Sequence, residues 1–160
     1  VGSNQLLNAG SILVTAAGRE ARATGMHVYG DGNASVANLE GGRILVEAAG
    51  AGSRAIGIHV DYEGWDGPIE VENRGSVESR GSVAAGVLLE FEFFTDPTMV
   101  LRNWGTITGR AESDPEAEAA GVVASGPGGG LGASSTFTTG RAVSSAATTP
   151  TAGLPPPWWL

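Results

Sequence analysis

Residues 69–77 read Ile69-Glu70-Val71-Glu72-Asn73-Arg74-Gly75-Ser76-Val77, and this stretch decides the fold. Ile69, Val71, Asn73, Gly75 and Val77 share one parity, and charged or polar side chains fill the other. Alternation with a period of two marks strands with one buried face. The Asn-x-Gly in the middle turns the chain. An Asn side chain can bond its own backbone two residues on, and Gly tolerates positive φ or close backbone approach. The stretch therefore reads as strand, corner, strand.

The same phrase recurs along the chain. It stands as Asn8-Ala9-Gly10-Ser11-Ile12 and as Asn103-Trp104-Gly105-Thr106-Ile107. A further copy holds Glu40-Gly41-Gly42-Arg43-Ile44 in this register, with Asn38 displaced by two. The glycines fall at 10, 42, 75 and 105, in steps of 32, 33 and 30. A second landmark, Gly followed by an apolar run, keeps step with the first. It reads Gly25-Met26-His27-Val28, Gly57-Ile58-His59-Val60, Gly86-Val87-Leu88-Leu89 and Gly121-Val122-Val123.

Each repeat thus holds three short strands: one before the Asn, one after the first Gly and one after the second Gly. Three strands per turn at a fixed period predict a parallel β-helix. The expected fold is all-β: a right-handed β-solenoid of about four coils, its hand following the usual crossover rule. Residues 4–124 carry the repeats. Residues 125–160 are rich in Gly, Ala, Ser, Thr and Pro and read as a flexible, disordered tail. Asn8, Asn73 and Asn103 are expected to form an amide ladder, with Gly10, Gly42, Gly75 and Gly105 as one glycine column and Gly25, Gly57, Gly86 and Gly121 as the other. Turn sequences after each third strand, such as Glu63-Gly64-Trp65-Asp66-Gly67-Pro68, place the variable loops on one side.

Composition excludes several functions. The net charge is −8, and the nine basic residues, all Arg, form no run. Such a chain lacks the clustered positive charge that nucleic acid or an anionic membrane surface requires. With no Cys, thiol catalysis, disulfide frameworks and Cys-based zinc sites are ruled out. The chain begins at Val1 with no charged-then-apolar leader, which suggests a fragment or a processed product.

The Asn-x-Gly-x-Ile and x-Gly-Ile-x-Val alternation across residues 4–124 resembles the passenger regions of bacterial autotransporters (type V secretion) and related β-helical adhesins. The resemblance implies export, display at the bacterial cell surface or release outside the cell, and a separate outer-membrane β-barrel as translocator. Residues 125–160 lack the alternating strands of about ten residues that such a barrel needs. The matching positions are structural, so no catalytic residue and no cofactor carries over. The function implied is a stalk or adhesin meeting a host-surface or carbohydrate ligand. The other reading is a polysaccharide-active enzyme on the same scaffold, a lyase or glycosidase, since fold alone does not select function. Exposed strand ends would also favour self-association through the coil ends.

One surface cluster stands out. His27 and His59 occupy equivalent places on successive coils with outward parity, so their rings should stack about 4.8 Å apart. Asp61 and Glu90 align one column further along the same strands. Together the four could hold a divalent metal. A repeated exposed residue inherited by duplication gives the same pattern. Asp31, Asp61, Glu63 and Asp66 suggest calcium less well, because the glycine-rich calcium nonapeptide is missing. Tyr62, Trp65 and Trp104 could stack on sugar rings, and Phe91 and Phe93 are expected to fill the core of a wider third coil, with Phe94 under a loop.

Overall fold

A computed structural model describes residues 3–30, 33–62, 68–91, 99–111, 117–125 and 135–139. Among them are thirteen strands and no helix. The strands are β1 (Ser3–Asn8), β2 (Ser11–Ala17), β3 (Arg22–Gly30), β4 (Asn33–Asn38), β5 (Arg43–Ala49), β6 (Arg54–Tyr62) and β7 (Ile69–Asn73). They continue as β8 (Ser76–Gly81), β9 (Val83–Phe91), β10 (Met99–Asn103), β11 (Thr106–Ala111), β12 (Glu118–Ser125) and β13 (Ser135–Thr139). Every third strand joins the same sheet. The first sheet runs β1-β4-β7-β10-β13, the second β2-β5-β8-β11 and the third β3-β6-β9-β12. All pairings are parallel, so successive strand triplets stack as the coils of a β-solenoid.

Apolar residues of equal parity stack into columns. Leu6, Val36, Val71 and Leu101 align in the first sheet. Ile12, Ile44, Val77 and Ile107 align in the second, and Met26, Ile58, Val87 and Val122 in the third. These columns meet in one core. Ile44, Ile58 and Val87 have no exposed surface, whereas Leu6, Ile12 and Val122, on the first and last triplets, are only partly covered. The solenoid therefore closes its core in the middle and leaves it open towards its ends.

The first corner is built by an amide ladder. Asn8 Nδ2 donates to Asn38 Oδ1 (2.8 Å), Asn38 Nδ2 to Asn73 Oδ1 (2.8 Å), and Asn73 Nδ2 to Asn103 Oδ1 (2.7 Å). All four are buried. Asn38 is therefore not displaced from the repeat: it pairs in register with Asn8 and Asn73. The two extra residues lie between Asn38 and Gly42, where a turn closes with Gly42 N donating to Leu39 O at 2.9 Å and Gly41 at φ +77°. Extra length is absorbed outside the ladder because a shift of one residue would flip every side chain of the strand.

Most landmark glycines serve close approach, Gly10 on the first coil excepted. A Cβ on Gly75 would stand under 3.0 Å from the Gly42 carbonyl oxygen, and one on Gly105 equally close to that of Gly75. The second column repeats this, with Gly25 against Gly57, Gly57 against Gly86, and Gly86 against Gly121. The second corner uses positive φ instead, at Gly18 (+126°) and Gly50 (+116°). It is pinned by buried Ser53, whose hydroxyl donates to Ala48 O (2.7 Å) and accepts from Ser82 N (3.1 Å).

The segment 125–160, read as tail, needs one correction. Ser135–Thr139 within it forms β13, which extends the first sheet beside β10. The rest of that segment, from residue 126 on, lies outside the described residues, as do Asp31, Glu63, Trp65, Asp66, Phe93 and Phe94. Phe91 ends β9.

Candidate functional site

The three outer faces differ in chemistry. On the second sheet, Arg80 bridges Glu47 (3.0 Å) and Glu78 (2.8 Å), and Arg110 also reaches Glu78 (2.9 Å). On the first sheet, Arg74 pairs with Glu72, and Arg102 lies 3.5 Å from Glu70. Arg74 also sits over the Trp104 ring, 5.1 Å from its centroid, a cation–π contact. These are ladders of opposite charge on exposed strands, which bring modest stability.

The third sheet differs. Its inward residues Met26, Val28, Ile58 and Val60 are buried. Between them the outward side chains are His27 and Tyr29 on β3, and His59 and Asp61 on β6. The register sets His27 beside His59, Tyr29 beside Asp61, and Asp61 beside Glu90. The two imidazoles stack with centroids 4.6 Å apart and planes 7° from parallel, close to the strand spacing. Ligand atoms of His27, His59 and Asp61 all lie within 4.8 Å of one another. Three of the four residues expected to form a metal cluster are thus brought together.

Glu90, the fourth, is engaged differently. Its Oε2 lies 2.5 Å from His59 Nε2, and its Oε1 lies 3.7 Å from Arg54 Nη2. Arg54, His59 and Glu90 keep only 17%, 14% and 22% of their side-chain surface, so this is a half-buried polar cluster, not a solvated rim. Burial alone would raise the Glu90 carboxyl. The hydrogen bond and charge of His59, helped by Arg54 and His27, outweigh it and hold the group below the usual carboxylate range. Burial lowers His27, and its neighbour His59 lowers it further, against the pull of Asp61 and Glu90. Burial also lowers Arg54, with Glu90 opposing.

Beside this cluster the outward residues turn apolar. Ile56, Ala85 and Leu88 form a second buried group, with Val123 packed against it. Leu88 continues the His27–His59 column and has no exposed surface, although its parity alone suggests an outward, solvated position.

Two expected contributors change role. Tyr62 is 2% exposed and belongs to the core, so it cannot join a sugar-stacking platform. Its parity with Ile58 and Val60 carries that signal. Trp104 does face outward, 43% exposed, and Arg74 lies over its ring. Asp61 belongs to strand β6, not to a turn, which removes it from a calcium loop. Arg54 was not anticipated; its alignment with Arg22 at the start of β3 and β6 is the sequence trace of it.

Models of known protein families, characterised proteins and solved structures were each compared with the chain, and none matches it.

Proposed function

We propose that this chain is a non-catalytic passenger segment of a bacterial surface-exposed or secreted protein, a right-handed β-helix of about four coils acting as stalk or adhesin. The amide ladder carries the reading. Asn8, Asn38, Asn73 and Asn103 are linked without a break and stay buried, and even an insertion is pushed out of their register. The repeated positions all serve stacking, as a spacer needs, since each coil then contacts only its neighbours. Its export would need a separate outer-membrane barrel as translocator. The outer ion-pair ladders suit a solvated surface, and the Trp104 face is a place for a carbohydrate or host-surface contact.

A polysaccharide-cleaving enzyme would instead need convergent acids or bases with shifted affinities around a cleft. On the first two outer faces Glu47, Glu70, Glu72 and Glu78 are each engaged by an Arg, and the shifted groups His27, Arg54 and Glu90 lie together on the flat outer face of the third sheet. Two experiments test the proposal. Antibodies raised against the chain should label intact producing cells or their culture medium. The purified chain should release no new reducing or unsaturated ends from a panel of polysaccharides. Labelling only after permeabilisation would overturn the surface assignment, and saturable turnover of any polysaccharide would overturn the non-catalytic one.

A further inference from the structure

We propose that His27, His59 and Asp61 form a binding site for a zinc-type divalent transition metal on the outer face of the third sheet, with Glu90 as the residue that positions His59. The site goes beyond a spacer role, since neither core packing nor coil register requires two stacked imidazoles on a surface.

The donor set selects the class of ion. Two imidazole nitrogens and one carboxylate oxygen suit zinc and its first-row neighbours, whereas calcium and magnesium call for oxygen ligands throughout. Three protein ligands leave a fourth position for water or an exogenous donor. The distances are within reach of closure. Metal–ligand bonds of about 2.0–2.1 Å at a tetrahedral angle put donor atoms about 3.3 Å apart. A ring nitrogen of each histidine and a carboxylate oxygen of Asp61 already lie within 4.8 Å of one another, and a ring flip or tilt can present the required nitrogen. The remaining movement falls to His27, whose exposed ring can tilt out of the parallel stack; β3 and β6 hold the backbones in register.

Glu90 supplies the second part of such a site. A metal-bound His commonly gives its other ring N–H to a carboxylate, which orients the ring and makes it a better donor. Glu90 Oε2 is 2.5 Å from His59 Nε2, leaving Nδ1 as the nitrogen that can bind the ion. The other Glu90 oxygen lies 3.7 Å from Arg54 Nη2, an ion pair without a hydrogen bond, and Glu90 takes the outer-shell role through its contact with His59. The donors come from two successive coils, so the bound ion would clip β3 to β6.

The test is titration of the full chain, without a histidine tag, with Zn²⁺ by calorimetry and by ¹⁵N-resolved spectra of the His rings. The expected result is saturable binding of one ion per chain, with the His59 Nδ1 signal moving to a metal-bound position while Nε2 stays protonated. His27→Ala and Asp61→Asn should each weaken binding at least tenfold. Glu90→Gln should weaken it about 10–100-fold, as loss of an outer-shell carboxylate does, and should broaden the preference of His59 for one tautomer. Glu47→Gln on the second sheet should change nothing. Backbone amide spectra report whether each variant keeps the fold, and His27, on an exposed position, is the least disruptive site to change. No saturable binding, equal binding by wild type and by folded His27→Ala, or equal displacement of Zn²⁺ by Ca²⁺ would overturn the proposal.

Discussion

Asn73→Ala tests the amide ladder where it matters most. Asn73 accepts from Asn38 (2.8 Å) and donates to Asn103 (2.7 Å), and it has no exposed surface. Truncation removes both ladder bonds, at a net cost of about 1 kcal/mol each, along with longer contacts to the Thr106 (3.2 Å) and Gly75 (3.4 Å) carbonyls, and leaves the buried ladder partners short of a contact, which adds about 1 kcal/mol in total. The second cost is small because those partners keep others. Asn38 Nδ2 still faces the Gly42 and Ser76 carbonyls at 3.3 Å, and Asn103 Oδ1 still accepts from Gly105 N at 3.2 Å. The expected loss is therefore about 3 kcal/mol. Asn8→Ala removes one ladder bond at the end of the stack together with the two local bonds exchanged with Gly10 (both 3.1 Å), from a less completely buried side chain, and should cost about 1–2 kcal/mol. Urea unfolding measures both, and the m-value must stay constant, because a solenoid that begins to melt coil by coil no longer unfolds as one unit. Equal losses for the two variants would refute the claim that the interior of the ladder bears the load.

Two further outcomes follow from the corners and the surface. Gly75→Ala places a methyl group against the Gly42 carbonyl and should cost about 3 kcal/mol or prevent folding. Gly10→Ala meets nothing within 4 Å and should stay within about 0.5 kcal/mol of wild type; similar melting temperatures for the two would contradict the close-approach role. Glu78 is held below its usual range chiefly by the hydrogen bond from Arg80, with burial opposing and the charges of Arg80 and Arg110 assisting. A depressed folded value adds stability that is present above the ordinary value of 4.5 and disappears as pH falls through the folded one. Exposure keeps this contribution below about 1 kcal/mol. Glu78→Gln should flatten that acid limb in urea midpoints, as should about 1 M salt in the wild type; an unchanged limb in the variant would exclude Glu78 as its source.

Much of this was legible in the chain. Two landmarks in step, with period-two alternation between them, located the strands, the inward columns and the His27–His59 pair. What was not legible depended on contacts between coils. Asn38 looked displaced because a sequence is read against fixed spacing, whereas the strand register in the fold is set by the buried face and lets the corner swell. Glu90 aligns with Asp61 in the sequence, but only the geometry shows one of its oxygens against His59 Nε2 and the other facing Arg54 at 3.7 Å. Tyr62, grouped with Trp65 and Trp104 as a possible sugar platform, shares the inward parity of Ile58 and Val60 and is buried. Leu88 fell on the outward parity yet is fully buried, which alternation along a single strand cannot reveal. β13 was missed because five residues flanked by Gly, Ala and Ser carry too little periodicity to stand out.

The direction of the hydrogen bonds sets how such a stack answers to force. Strand-to-strand bonds run from coil to coil, along the axis of the solenoid. Tension applied at the chain ends would open the outermost coil first, row by row, while the coils behind it stay intact. A sideways load would have to break whole rows together. The Asn ladder reinforces the axial direction at one corner, and a metal ion shared by His27 and His59 would fasten the first two coils at another face. A stack built this way would yield in steps and shorten its folded length one coil at a time.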